Sequence, residues 1–161
     1  MSTDSSQKQT IGRAEVVALP EQGVGAVHAR IDTGARTSAI WASYAQVEGD
    51  KLAVILFDKG HRSFTGNKIM FDEFSRDIVT SSTGHKDLRY KVKLLTVIGG
   101  RKIRASYTLA DRSTQVYSVL IGRNVLRGKF IVDVKTGTVL ADKEKELYKQ
   151  KQVELSTRTD S

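Results

Sequence analysis

The feature that most constrains this chain is a succession of short segments rich in Val, Ile, Leu and Tyr, each closed off by turn-forming residues. Segments 24–31, 51–57, 89–97, 101–109, 117–121 and 129–134 are bounded mostly by Gly, Asp, Asn or Ser, which predicts strands. Gly99-Gly100 stands between two alternating runs and marks a two-residue hairpin turn. Residues 137–140 are expected to add a strand after the Lys135-Thr136-Gly137 turn. Helix signals are sparse: a short turn over 124–127 and a charged, helix-prone stretch over 142–154 with little apolar face. Residues 58–88 are polar and rich in Gly, Ser and Asp, and predict a long loop or mobile hairpin. The expected class is mostly β. A disordered tail over 1–11 precedes a single domain over 12–140, and a charged extension over 141–161, helical or disordered, follows it.

At 161 residues the chain is long enough to bury one proper core. It has no apolar run of the length, about 18 residues, that a membrane span requires. The start, MSTDSSQKQT, lacks the apolar stretch of a secretory signal, so a cytoplasmic location is expected. With no cysteine, disulfides, thiolate zinc sites and a cysteine nucleophile are excluded. The net charge is +8, and because the charges of residues 1–10 and of 141–161 each cancel, the whole excess lies in 11–140. A basic body with neutral ends suits an anionic partner, whether nucleic acid, an acidic protein or an acidic peptide. The plainer alternative is a basic surface that serves solubility alone.

Two motifs carry chemistry. His28-Ala29-Arg30-Ile31 runs as a strand straight into Asp32-Thr33-Gly34-Ala35, which presents the Asp32 carboxylate at a strand end, with Gly34 permitting a sharp turn. Alone, the tripeptide is weak, since an Asp capping a turn looks the same. Far along the chain, Val119-Leu120-Ile121 enters Gly122-Arg123-Asn124, followed by Val125-Leu126 and a helical turn.

Together the two motifs resemble the paired signature of retropepsins, over roughly residues 15–134. The resemblance implies a closed acid-protease β-barrel with one short helix, in which Gly122 and Asn124 brace the Asp32 loop and residues 89–109 supply a hairpin. A closer likeness rests on Asp32-Thr-Gly-Ala-Arg-Thr-Ser-Ala, Ser82-Thr-Gly-His85 with Leu88-Arg89, Thr108-Leu109-Ala110-Asp111-Arg112, and Leu120-Ile-Gly-Arg-Asn-Val-Leu-Arg-Gly128 with Val132-Asp133. These are similar to a bacterial family labelled ATP-dependent zinc proteases, whose members accompany the ligase that adds glutamates to a ribosomal protein. The residues support neither part of that label. There is no His-Glu-x-x-His and no metal-ligand spacing among His28, His61 and His85, and no phosphate-cradling Gly-x-x-x-x-Gly-Lys-Ser/Thr. No metal and no cofactor is expected.

Aspartic proteases need two carboxylates sharing one proton, and this chain has a single Asp-Thr-Gly. A homodimer that brings Asp32 against its mate on the two-fold axis is the economical solution. The resemblance then implies Thr33 bonding across the interface, Gly34 offering its carbonyl to substrate, and Arg30 lining the pocket for the residue just before the cut, a position normally apolar. Strand alternation also puts Arg30 on the face of Asp32. Arg36 replaces an Asp usual in retropepsins and faces Arg123, so two cations stand near the cleft unless Asp111 or Asp133 pairs with them. Ala35 brings no hydroxyl to the ionised pair, and activity near neutral pH is expected. Ser82, His85 and Arg89 are flap candidates, against the reading of an ordinary solvated loop, and Trp41 and Tyr44 are expected to pack in the core or an interface. The function expected is peptide-bond hydrolysis in glutamate-rich peptides, poly-glutamate tails or a glutamylated protein. Two alternatives stand beside it: a dimeric retropepsin-like binding module without catalysis, and a basic barrel that binds RNA or a ribosome. The second is disfavoured by aromatics at only 7% of residues in no interleaved stacking pattern.

Overall fold

A computed structural model describes residues 7–80 and 82–159. Its strands are β1 (Gln9–Gly12), β2 (Ala14–Leu19), β3 (Val24–Ile31), β4 (Ser38–Glu48), β5 (Lys51–Leu56), β6 (Ile69–Phe71), β7 (Ser75–Thr80), β8 (Lys86–Ile98), β9 (Arg101–Ala110), β10 (Val119–Ile121) and β11 (Phe130–Asp133). Two α-helices, α1 (Arg123–Leu126) and α2 (Ala141–Thr159), and a 3-10 turn (Pro20–Gln22) complete the described residues.

Alternation along the strands decides which face turns inward. In β9, Ile103, Ala105, Tyr107 and Leu109 are buried; in β8, Val92, Leu94, Thr96 and Ile98 are. The two pair in register from Lys91↔Thr108 to Ile98↔Arg101. Gly99 and Gly100 both take positive φ, 57° and 78°, the conformation a two-residue turn requires at both positions. Strands run in the order β10-β3-β2-β8-β9-β4, and a further β10–β4 pairing closes that ring into a six-stranded barrel. Leu19, Ile40, Leu52, Phe57, Leu94, Ile98, Tyr107 and Ile121 are fully enclosed within it, each large side chain contributing about 1.5–3 kcal/mol by leaving water. Thr96 and Tyr107 bond to each other at 2.6 Å inside the core, and burial pushes the Tyr107 phenol up to about 12.

The structure departs from the sequence reading in three places. Of the tail expected to be disordered over 1–11, residues 1–6 lie outside the described residues, while Gln9–Gly12 form β1. This strand runs parallel to β11, from Gln9↔Phe130 to Gly12↔Asp133, a partner too distant in sequence for local pattern to reveal. Residues 58–88 are no single loop. His61 anchors the stretch after β5 through its bond to Ser118 (3.0 Å); β6 pairs with β5; and β7 pairs with β8 from Ser75↔Lys91 to Thr80↔Lys86. Residues 137–140 form no strand. They cross the barrel as a strap, with the Thr138 amide bonded to the Ala14 carbonyl at 2.8 Å and Gly137 at φ 117°. The helix-prone stretch is α2, exposed along most of its length, and no helix among the described residues is long and apolar enough to cross a membrane.

Candidate active site

β3 and β10 lie side by side and parallel, with Ala29↔Val119, Arg30↔Leu120 and Ile31↔Ile121. The chain leaves β3 at Asp32, whose amide donates to the Ile121 carbonyl at 2.8 Å. The Asp32 carboxylate curls back so that Oδ1 accepts the Gly34 amide at 2.9 Å. The chain turns here as its sequence suggested, the Ala35 amide closing on the Asp32 carbonyl at 3.3 Å, and Gly34 does so without entering the left-handed region. A Cβ there would stand 3.3 Å from Asp32 Oδ1, so its bareness leaves room for the carboxylate.

The Gly122-Arg123-Asn124 segment grips this loop from the other side. The Arg123 amide donates to the Ala35 carbonyl at 2.8 Å, and the Asn124 amide to that of Arg36 at 3.3 Å. The buried Ser38 hydroxyl accepts the Gly122 amide (3.0 Å) and donates to Asn124 Oδ1 (2.8 Å), while Asn124 Nδ2 donates to the Ser106 carbonyl (2.8 Å). Gly122 passes so close that a Cβ would fall 2.7 Å from the Thr37 carbonyl oxygen, which only glycine tolerates.

The cations sort differently from the sequence expectation. Arg123 is engaged in the loop itself, its Nη1 donating to the carbonyls of Thr33 (3.2 Å) and Gly34 (2.9 Å). The Gly34 carbonyl expected to face substrate thus already accepts a bond. The internal partners suggested for Arg36 and Arg123 are used elsewhere: Asp111 accepts the Ser113 amide and Asp133 the Lys135 amide, at 2.9 and 3.0 Å. Arg30 is exposed on the outer face of β3. Ser82, His85 and Arg89 lie on the β7–β8 hairpin, with Arg89 opposite Asp77 and His85 3.3 Å from Asp87. An apolar cross-strand pair, Ile78 and Leu88, stands 70% and 55% exposed on the same hairpin. Tyr44 lies beneath Lys68, and Trp41 meets His61 edge to face.

One site residue escaped the sequence reading. Arg112 is half-buried, its Nε donating to the Tyr117 carbonyl at 2.9 Å. Burial lowers its pKa first, and the positive charge of Arg30 lowers it further, while Asp32 opposes both. Two guanidiniums therefore stand within electrostatic reach of each other, one of them coupled to Asp32. The only sequence signal was its place in the Thr108-to-Arg112 motif.

Zinc fits poorly. His28 Nδ1 lies 3.2 Å from the Thr138 carbonyl, His61 bonds Ser118 and Ser63, and His85 is on the hairpin. No three His, Cys, Asp or Glu side chains converge among the described residues.

A closed six-stranded barrel carrying an Asp-Thr-Gly loop gripped by Gly-Arg-Asn defines a protein of the retropepsin-like fold. The chain belongs to the RimB-like family, described as the retropepsin-like aspartic endopeptidase RimB, which matches residues 10–143. Among curated proteins, it is similar to a probable alpha-L-glutamate ligase of Shewanella pealeana, 32% identical over 146 residues, covering 86% of this chain and 31% of the relative. A probable alpha-L-glutamate ligase of Shewanella halifaxensis is 33% identical over 136 residues, covering 80% and 29%. The chain thus spans less than a third of the length of these two relatives. A solved Legionella pneumophila protein of unknown function shares the fold, with a TM-score of 0.58 at 20% identity over 83% of this chain and 98% of that one.

Proposed function

We propose that this chain is an aspartic peptidase that hydrolyses peptide bonds in glutamate-rich segments or poly-glutamate tails, using a pair of Asp32 carboxylates from the two copies of a homodimer. The observation that carries this reading is the Asp32 loop: a carboxylate at a strand end, fixed through Oδ1 by the Gly34 amide and gripped from behind by 122–124. Such a scaffold aims an acid, but one acid is half of the chemistry. A groove of about 690 Å³ lies beside it, lined by Thr33, Arg36, Asn124, Leu126, Phe130 and Val132 among others. Nearby, Ile131 and Val134 are 54% and 73% exposed, an apolar edge suited to a second copy of the chain.

Two carboxylates about 3 Å apart cannot both ionise. One Asp32 then stays protonated and the other, ionised, takes a proton from water. The resulting hydroxide adds to the scissile carbonyl carbon while the protonated partner hydrogen-bonds the carbonyl oxygen. Transfer of a proton to the amide nitrogen lets the carbon–nitrogen bond break, releasing an acid and an amine. The substrate class follows from the cations: Arg30, Arg36 and Arg112 offer planar donors that match carboxylates. The names of the ligase relatives point the same way.

Cleavage of a poly-glutamate peptide should disappear in Asp32→Asn, with the thermal midpoint unchanged, and should persist in the presence of a chelator. Retained cleavage in the folded variant would overturn the assignment.

A further inference from the structure

α2 is attached to the barrel chiefly by its first turn, and the attachment is a carboxylate in a basic notch. Glu144 receives both terminal nitrogens of Arg13, Nη1 to Oε1 at 2.9 Å and Nη2 to Oε2 at 3.0 Å, the bidentate fork typical of arginine with a carboxylate. Its Oε1 also accepts the Tyr117 hydroxyl at 2.5 Å, and that hydroxyl accepts the Leu140 amide at 3.0 Å. The Tyr117 ring is buried, so its hydroxyl is a fixed donor. Arg13 lowers the Glu144 pKa most, through this bond, and the charge of Arg30 adds to the effect.

The notch adjoins the Asp32 loop. The Arg13 carbonyl accepts the Ile31 amide at 3.0 Å, one residue before Asp32, and Ala14 pairs with Arg30 across β2–β3. Tyr117 gives its carbonyl to Arg112, the guanidinium coupled to Arg30 and Asp32. A glutamate side chain is therefore already seated on the exposed β3 face that leads to Asp32.

We propose that Arg13, Arg30 and the Tyr117 hydroxyl form a carboxylate subsite of the substrate cleft, held in the resting protein by the chain's own Glu144, and that a substrate glutamate binds there by displacing it. The proposal rests on the peptidase reading for the identity of the substrate. Two features make displacement feasible. The Arg13–Glu144 pair is partly open to solvent on both sides, where water and salt compete for the two charges. Beyond its first turn, α2 stands off the barrel over a cavity of about 1110 Å³, bounded by Ala26, His28, Trp41 and His61 below and by Lys143 and Leu147 above. The helix can thus swing away without breaking a packed core. Occupancy by Glu144 lowers apparent substrate affinity by the fraction of molecules in which the subsite is filled.

The test uses the 161-residue chain carrying Asp32→Asn, so that binding is read without cleavage, and a fluorescent penta-glutamate peptide as probe. Adding Glu144→Gln should tighten binding roughly two- to fivefold, whereas Arg13→Gln, which opens the latch but removes the subsite, should weaken it. A folded Glu144→Gln protein with unchanged or weaker binding would overturn the proposal. Hydrogen exchange supplies a second arm that needs no Glu144 substitution: saturating peptide should speed exchange of the amides of 140–147, and unchanged protection there overturns displacement. Failure of the peptidase reading shows separately, as retained cleavage in Asp32→Asn, and leaves both binding arms readable.

Discussion

Replacing Ser38 by alanine removes the hydroxyl that joins the Asp32 loop to the segment over 122–124. That hydroxyl accepts the Gly122 amide at 3.0 Å in a buried setting and donates to Asn124 Oδ1 at 2.8 Å. The orphaned Gly122 N–H has no route to water, and such a group costs about 1–3 kcal/mol. Asn124 is exposed and recovers part of its loss from solvent, adding about 0.5–1 kcal/mol. A total of about 1.5–4 kcal/mol is a large share of the ~5–15 kcal/mol that holds a domain together. In urea, with a slope of ~2 kcal/mol/M, the midpoint should fall by about 0.75–2 M. Cleavage should fall further than stability alone explains, on the order of ten- to hundredfold at a temperature where the variant is folded, because the loop that aims Asp32 loses its brace. A midpoint shift below about 0.3 M, with cleavage unchanged, would refute the claim that this hydroxyl ties the two motifs together.

Acidification should destabilise the barrel through His61. Its ring stacks on Phe57 at 4.1 Å and bonds Ser118, and its pKa is lowered first by burial and then by the charge of Lys143. A group whose folded pKa is depressed contributes stability that is intact above its ordinary value near 6.5 and is lost as pH falls through the lowered one. His61→Gln should flatten that part of a thermal-midpoint profile, and an unaltered profile would count against it. At the cleft, Arg30→Leu should weaken cleavage of acidic peptides by roughly tenfold or more while barely affecting neutral ones; equal losses on both would remove the argument for an acidic substrate.

The Asp32 loop was readable in the sequence because its parts are local. Asp32-Thr33-Gly34 follows an apolar strand directly, and Gly122-Arg123-Asn124 follows another, so each motif announces its own element. What stayed hidden depends on contacts between distant segments. Arg112 joins the site only because its side chain reaches the Tyr117 carbonyl, which a loop's composition does not reveal. Glu144 lies in a stretch whose charges cancel, and it reads as one more solvated acid until the strap over 137–140 sets it against Arg13. Polar residues left the stretch over 58–88 open between a loop and a hairpin, and β1 was obscured by a partner, β11, that lies over a hundred residues away. The anchoring of Arg123 was hidden too, since the carbonyls of Thr33 and Gly34 that hold it carry no side-chain signal.

Subunit mixing tests the shared pair of Asp32 carboxylates most directly. Wild-type chain is combined with an equal amount of Asp32→Asn chain, allowed to exchange, and assayed on a poly-glutamate peptide. Random pairing places half of the wild-type chains in mixed dimers that hold a single Asp32, so activity per wild-type chain should drop to about half, and further as the variant is added in excess. Activity per wild-type chain that stays constant at every ratio would mean that one copy suffices, and would contradict the account.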